Sequence, residues 1–340
     1  MKLIKTEEAV GHVLCHDITQ IIKGVTKDAV FRKGHIVTED DIPVLLSIGK
    51  ENLYVWENNE NMLHENEAAR ILYDISADSN MHGSEIKEGK IELIADIDGV
   101  LMIDRDKLRR INSLGQMMIA GRHSGFPVKK GDKLAGTRII PLVIEKEKME
   151  DARKIGGNEP IFTLKPYTLR TAGVVTTGSE IFKNRIEDTF TPVIEEKLSE
   201  YGISMVKHAI CSDNHEDITE EINKMLEAGV DMVICTGGMS VDPDDKTPLA
   251  IKNAGTDIVT YGAPVLPGAM FLLSYKGEAP VIGLPGCVMY AKRTIFDLVL
   301  PRIAAGIMLT EEDINCLGEG GLCLSCPVCT YPNCGFGKGM

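Results

Sequence analysis

Three apolar runs, each closed by glycine, constrain this chain more than any other feature: RTAGVVTTG at 170–178, VDMVICTGG at 230–238 and PVIGLPG at 280–286. Segments with helical spacing lie between them. EDTFTPVIEEKLSEYG puts Phe190, Val193, Ile194, Leu198 and Tyr201 on one side, and Pro192 fits only in that helix's first turn. ISMVKHAI is the next strand. CSDNHEDITEEINKMLEAG turns Ile218, Ile222 and Met225 inward, offers Asp213 as N-cap with Glu216 at the capping-box offset, and stops at Gly229. VMYAKRTIFDLVLPRIAAG, after the third run, reads as one long helix. Continuously apolar strands are buried on both faces, so this alternation predicts a parallel sheet with helices above and below it. The expected centre of the protein is a three-layer α/β domain over 168–306.

The flanks have a different texture. Residues 1–60 read as a small mixed module, in which a helix carrying Ile42, Leu45 and Leu46 ends at Gly49 and a strand, LYVW, follows. Residues 61–165 open with a linker helix that presents Leu63, Ala68, Ile71 and Leu72. A β-rich unit follows, with a helix near 105–115 and KLAGTRIIPLVIEKE as its strongest strand. Residues 311–340 form a cysteine-rich tail.

Composition excludes whole classes of function. Of 340 residues, 44% are hydrophobic and 26% charged, which is ordinary for a soluble globular protein. No apolar run reaches the roughly 18 residues of a spanning helix. The start, MKLIKTEEAV, lacks the apolar stretch of a leader, so a cytoplasmic protein is expected, with no membrane partner. A formal charge of -13, with no basic stripe interleaved with aromatics, argues against a nucleic-acid partner.

In an open parallel sheet, ligands bind beyond the carboxyl ends of the strands. Three loops lie there: Thr176, Thr177, Gly178, Ser179 and Glu180; Thr236, Gly237, Gly238 and Ser240; and Gly283, Pro285 and Gly286. Glycine and hydroxyl residues let backbone N–H groups approach a phosphate closely. The carboxylates Glu180, Asp213 and Asp245 add the hard oxygen donors that Mg2+ shares with phosphate. GxxxxGK[ST] and a GxGxxG after a strand are both missing, which sets aside the familiar nucleotide-loop readings.

TTGSE, the helix after it, TGGMSVDPDDKTP and GLPG, in that order, resemble the molybdopterin-binding domain of molybdenum insertases, molybdopterin adenylyltransferases and competence-damage-inducible proteins. The resemblance spans about 168–306. It implies that Thr177, Gly178, Gly237, Gly238, Ser240, Asp242, Pro285 and Gly286 hold the phosphate end of a pterin. Glu180, Asp213 and Asp245 would then serve the transfer step or Mg2+, with Asp242, Asp244 and Asp245 recruiting the metal. Asp242 stands where the family usually has glycine, Ser179 where it commonly has aspartate, and Cys287 where insertases favour asparagine. The added charge of Asp242 calls for Mg2+ or a base such as Lys246. The implied ligands are molybdopterin or its adenylylated form and molybdate or tungstate, in a homodimer. The implied activity is a molybdopterin molybdotransferase-like transfer in molybdenum cofactor biosynthesis. Two rivals stand beside it: a non-catalytic carrier or sensor that docks a molybdoenzyme, and a pyrophosphatase acting on nucleotide derivatives.

Two further clusters draw attention. Five of the nine cysteines fall in the last twenty-five residues, and Cys323, Cys326 and Cys329 form CxxCxxC, with Cys334 following after four intervening residues. Two-residue spacing lets thiolates converge on one centre, so an iron–sulfur cluster or Zn2+ is expected, supplying the order that a tail with few apolar residues lacks. The remaining cysteines, Cys15, Cys211, Cys235 and Cys287, read as small buried hydrophobes. GHVLCHD, with His12, Cys15, His16 and Asp17, and KGH, with His35, form a candidate ligand group whose plainer role is structural. As a strand, it would put His12 and His16 on one face and Cys15 on the other.

Overall fold

The computed structural model describes residues 2–22, 26–55, 61–240, 242 and 245–339. The chain divides into two compact units, one made of 1–96, 103–122 and 130–163, the other of 97–102, 123–129 and 164–340. The sequence-based segments 1–60 and 61–165 thus fall largely within one unit, and the cysteine-rich tail belongs to the α/β unit.

The α/β unit contains β1 (Thr171–Thr177), α1 (Ser179–Phe182), α2 (Thr191–Ser199), β2 (Ser204–Cys211), α3 (His215–Glu227) and β3 (Met232–Thr236). It continues through α4 (Thr247–Asn253), β4 (Asp257–Tyr261), β5 (Leu272–Lys276), β6 (Ala279–Leu284), α5 (Ile295–Ala304) and α6 (Glu311–Asn315). The sheet order is β2-β1-β3-β6-β5-β4. Strands β2, β1, β3 and β6 run parallel, as expected, whereas β5 lies antiparallel to both β6 and β4. Lys276 pairs directly with Ala279, so β5 and β6 form a hairpin, which needs no crossover helix and reverses the chain.

Side-chain alternation builds the three layers. Ala172, Val174, Met232, Ile234 and Ile282 face a core that includes Ile194 and Leu198 of α2 and Phe296, Val299 and Ile303 of α5. Val175, Val233, Cys235 and Val281 face the other way, against Ile218, Ile222 and Met225 of α3 and Ala250 and Ile251 of α4.

Three expectations are corrected here. The span 288–306 is not one helix: a 3₁₀ turn covers Gly286–Met289, and α5 starts only at Ile295. The stop is local, because Thr294 and Asp297 form a capping box, with the Thr294 N–H donating to Asp297 Oδ2 at 2.7 Å. Asp297 is buried and also accepts from Lys197 Nζ at 2.6 Å and Arg293 at 2.8 Å, tying α2 to α5. In α3, the N-cap is Asn214, whose side chain accepts the Glu216 N–H at 2.8 Å. That leaves Asp213 with no capping role there. Finally, the tail is ordered by its own contacts. Ile314, Leu317 and Phe336 are buried in the α2–α5 core, and Tyr331 donates its hydroxyl to Asp297 O at 2.8 Å beneath the Arg293 guanidinium.

The other unit is mainly antiparallel. Lys2–Lys5 pairs with Asn52–Val55, and Met81–Gly83, Ile91–Ala95, Lys133–Ile139 and Met117–Gly121 form a four-stranded sheet in that order. KLAGTRIIPLVIEKE is two strands, Lys133–Ile139 and Val143–Glu145, broken around Pro141, which has no N–H to give a ladder. Helix Glu65–Asp74 buries Ala68, Ala69, Ile71 and Leu72, so it is a packed element rather than a linker. The helices Asp41–Ser47 and Arg105–Asn112 stand where the sequence places them. Trp56, the end of LYVW, lies outside the described residues. Among the described residues, no helix is long and apolar enough to cross a membrane.

Candidate functional site at the strand ends

The carboxyl ends of β1 and β3 are adjacent in register, Thr176 opposite Thr236, and β6 brings Leu284 beside Thr236. The three glycine-containing loops therefore leave the sheet side by side. Their inner half is a hydroxyl network. Thr177 Oγ1 donates to Thr236 O at 3.1 Å and lies 3.3 Å from Thr247 Oγ1, which donates to Gly237 O at 2.8 Å. Thr177, Thr236 and Thr247 are buried, and the Thr236 hydroxyl has no hydrogen-bond partner among the described residues.

This network explains both glycines of CTGG. Gly237 and Gly238 have φ of +83° and +56°, which L side chains rarely adopt. A Cβ on Gly237 would stand 2.3 Å from Thr177 O, and one on Gly238 2.7 Å from Thr247 Oγ1. The bare backbone is required by packing as well as by torsion. Gly286 differs, since a Cβ there would meet open space.

Two of the three carboxylates brace loops. Asp213 Oδ2 accepts the Ser179 N–H at 2.8 Å, joining the β2–α3 loop to the start of α1. Asp245 Oδ2 accepts the Ser240 N–H at 2.7 Å, while the Asp245 N–H donates to Asp242 O at 2.9 Å, so this loop closes on itself. Each aspartate has lone pairs beyond the one committed. Glu180, Ser240, Asp242 and Gly286 are exposed; Gly178, Gly237, Gly238, Asp213 and Asp245 are half-buried; and Pro285 is buried. Asp244 lies outside the described residues.

Sequence reasoning missed several members. Thr247 joins the two inner loops, and Thr247-Pro248 is a helix-start signal that would have placed it there. The Tyr261 hydroxyl donates to Met239 O at 3.1 Å, and burial together with the nearby Asp245 charge raises its pKa. Beside β1, Thr176 Oγ1 lies 3.1 Å from Asp188 Oδ2, 3.0 Å from Thr191 Oγ1 and 3.0 Å from His208 Nε2. Burial pushes the Asp188 carboxyl up, but hydrogen bonds from Thr191, Phe190 and Thr176 hold it below the usual range.

Among the described residues, no three His, Cys, Asp or Glu side chains are grouped as metal ligands. In the other unit, Cys15 is buried, His16 half-buried and His12 exposed, while His35 Nε2 is 2.6 Å from Asp41. In the tail, Cys323 and Cys334 are half-buried, Cys316, Cys326 and Cys329 are exposed, and all are free thiols.

Residues 173–305 match the model described as "Probable molybdopterin binding domain", which places the α/β domain in the molybdopterin-binding domain family. Residues 3–57 match a model described as "Domain of unknown function (DUF8806)". A CinA-like protein of Mycobacterium leprae is 38% identical over 76 residues, 22% of this chain and 18% of that protein. A CinA-like protein of Mycobacterium tuberculosis is 37% identical over 76 residues, with the same shares. The chain thus matches only 18% of the length of these curated relatives. Among solved structures, the molybdopterin biosynthesis enzyme MoaB from Thermus thermophilus is 17% identical, with 41% of this chain and 98% of that one covered and a TM-score of 0.33. CinA from Thermoplasma acidophilum is 21% identical, with 41% and 99% covered and a TM-score of 0.34.

Proposed function

We propose that the strand-end loops bind the phosphate end of molybdopterin, free or adenylylated, and that the protein assists transfer of molybdate or tungstate to it in molybdenum cofactor biosynthesis, acting as a homodimer. The observation that carries this reading is the Gly237–Gly238 turn. Buried Thr177 and Thr247 fill the space its side chains would need, so bare backbone is presented at the strand ends, as phosphate recognition requires. Ser240 lies exposed beside it, on a loop braced by Asp245.

The residues present suit Mg2+ in one specific way. Mg2+ takes one or two carboxylates together with substrate phosphates, so a three-carboxylate cage is not needed. Asp245 and Asp242 would hold it, and the ion would neutralise charge at the phosphate end. This chain's own residues do the rest. Asp213 holds Ser179 at the start of α1, Asp245 holds Ser240, and Thr177 fixes the spacing of the β1 and β3 loops, so the ligand meets a preorganised surface.

The CinA-like relatives favour a second reading, in which the same loops hold the pyrophosphate of a nucleotide derivative and the protein hydrolyses it. A carrier or sensor that delivers its pterin to a molybdoenzyme is a third. One experiment separates them. The full chain is titrated calorimetrically with molybdopterin, and bound pterin and metals are identified by mass spectrometry after incubation with molybdate and Mg2+. Binding with metal transfer supports the proposal, and binding without turnover supports the carrier. Folded protein that ignores the pterin but cleaves a nucleoside diphosphate derivative supports the second reading.

A further inference from the structure

We propose that Cys323, Cys326, Cys329 and Cys334 form a four-thiolate centre for a thiophilic metal, assembled when the segment 324–330 folds back between two cysteines that the α/β domain already holds. The inference is independent of what the strand-end loops bind.

The two outer ligands are anchored. The Cys323 N–H donates to Leu266 O at 2.8 Å, next to the Leu266–Leu322 bridge, and Cys334 lies in the sequence between Tyr331 and Phe336, whose rings edge against each other in the tail. Both cysteines pack against the core that contains Phe296, Leu317 and Phe336. The two inner ligands are not anchored in this way. Residues 324–330 form neither helix nor strand, and Cys326 and Cys329 are exposed. Leu324 and Val328 in the same stretch are 78% and 77% exposed, an apolar pair left in water unless the segment folds. Ser325 has φ +51°, a conformation costly for a residue with a side chain.

The chemistry matches that placement. CxxCxxC with a fourth cysteine after four residues is a soft donor set for Zn2+ or an iron–sulfur cluster. Because no three ligands are grouped among the described residues, binding and closure of the segment are one event, as in small metal-folded domains. Each thiol that ligates gives up its proton to solvent, and the resulting thiolates leave the centre negatively charged. Lys292, whose Nζ donates to Pro327 O at 3.0 Å, supplies positive charge at the middle of the segment. Cys316 lies outside this set, on the 3₁₀ turn Cys316–Gly318, and serves as an internal control.

The test uses the full chain, purified without oxygen and with reductant. Metal and sulfide are measured, and the thiols are alkylated and located by mass spectrometry before and after chelation. Roughly one Zn2+ per chain in colourless protein, or iron and sulfide in brown protein with thiolate-to-iron absorption, supports the centre and tells its two forms apart. In either case Cys326 and Cys329 should be protected until the metal is removed, while Cys316 reacts throughout. Cys326→Ser and Cys329→Ser, on the exposed segment, should lower metal retention at least about tenfold with unchanged thermal unfolding of the domain, and Cys316→Ser should have no effect. The proposal fails if folded protein takes up neither metal when offered Zn2+ or iron and sulfide, with Cys326 alkylated as fast as Cys316. It fails equally if the tail thiols are found paired as disulfides under these reducing conditions.

Discussion

The two units each hold a cluster of polar groups, and the clusters spend those groups differently. In the first unit, His64 Nδ1 accepts the Asn66 N–H at 3.2 Å and lies 2.9 Å from Lys33 Nζ, while Nε2 lies 2.8 Å from Cys15 O. Since Nδ1 accepts a helix N–H, Nε2 carries the proton and donates it to the carbonyl. His64 is buried, and its capping box with Glu67 starts helix Glu65–Asp74. These contacts either start the helix or, through Lys33 and Cys15, hold two pieces of chain together. At the strand ends of the α/β domain, Thr177 and Thr247 are spent this way, and Asp213 and Asp245 commit one oxygen each to bracing loops. The outer half, Glu180, Ser240, Asp242 and Gly286, remains at the surface. Titratable residues in proximity therefore mark structure in one unit, and half-committed residues around bare backbone mark a candidate site in the other.

Substitutions can break that distinction. The largest effect is expected from Gly238→Val, whose side chain meets Thr247 Oγ1 in a left-handed conformation. Pterin affinity by calorimetry should fall on the order of 100-fold, about 2.7 kcal/mol, and full affinity in the variant would remove the glycine turn from the site. His64→Ala should do the reverse. Loss of a helix cap and of a buried donor to Cys15 O should cost about 2 kcal/mol in denaturant unfolding of the first unit, with ligand affinity unchanged. A loss of binding there would show that the first cluster is functional after all.

Asp245→Asn keeps an oxygen to accept the Ser240 N–H, so the loop should persist. Transfer should fall about tenfold, ~1.4 kcal/mol, with binding little altered, and an equal loss of both would make Asp245 purely structural. The smallest effect is a pH dependence. Burial lowers the pKa of both His16 and His64 from the ordinary value of 6.5. Groups depressed in the folded state contribute stability that is present above the unfolded value and lost as pH falls below it. Protection of the amides in helix Glu65–Asp74, taken relative to the base-catalysed intrinsic exchange rate at each pH, should therefore be level from about pH 8 to 7 and weaken below about 6.5, with at most about 1.4 kcal/mol lost per pH unit for each proton bound. Burial raises the Glu65 carboxyl, which acts in the opposite sense at lower pH, so the histidine signal is cleanest above about pH 5.

The strands at 171–177, 232–236 and 279–284, the inward faces of α2 and α3 and the glycine loops were all legible in the sequence, because apolar runs, helical spacing and terminal glycines are local signals. The partners of those elements were not. Strands β4 and β5 went unread as a pair, and with them the antiparallel edge of the sheet, since pairing is chosen between segments and not within one. Asp213 looked like a cap for the helix it precedes. In the fold, Asn214 takes that place and Asp213 reaches Ser179, 34 residues back. Thr177 and Thr247, 70 residues apart, meet only because β1 and β3 are neighbours in the sheet. The tail looked too poor in apolar residues to order itself, yet Tyr331 and Phe336 pack against a core built mostly by other segments, which the sequence of the tail does not contain. Propensity and pattern act over a turn or a strand, whereas a hydrogen bond across 70 residues exists only once the chain between them has been folded away.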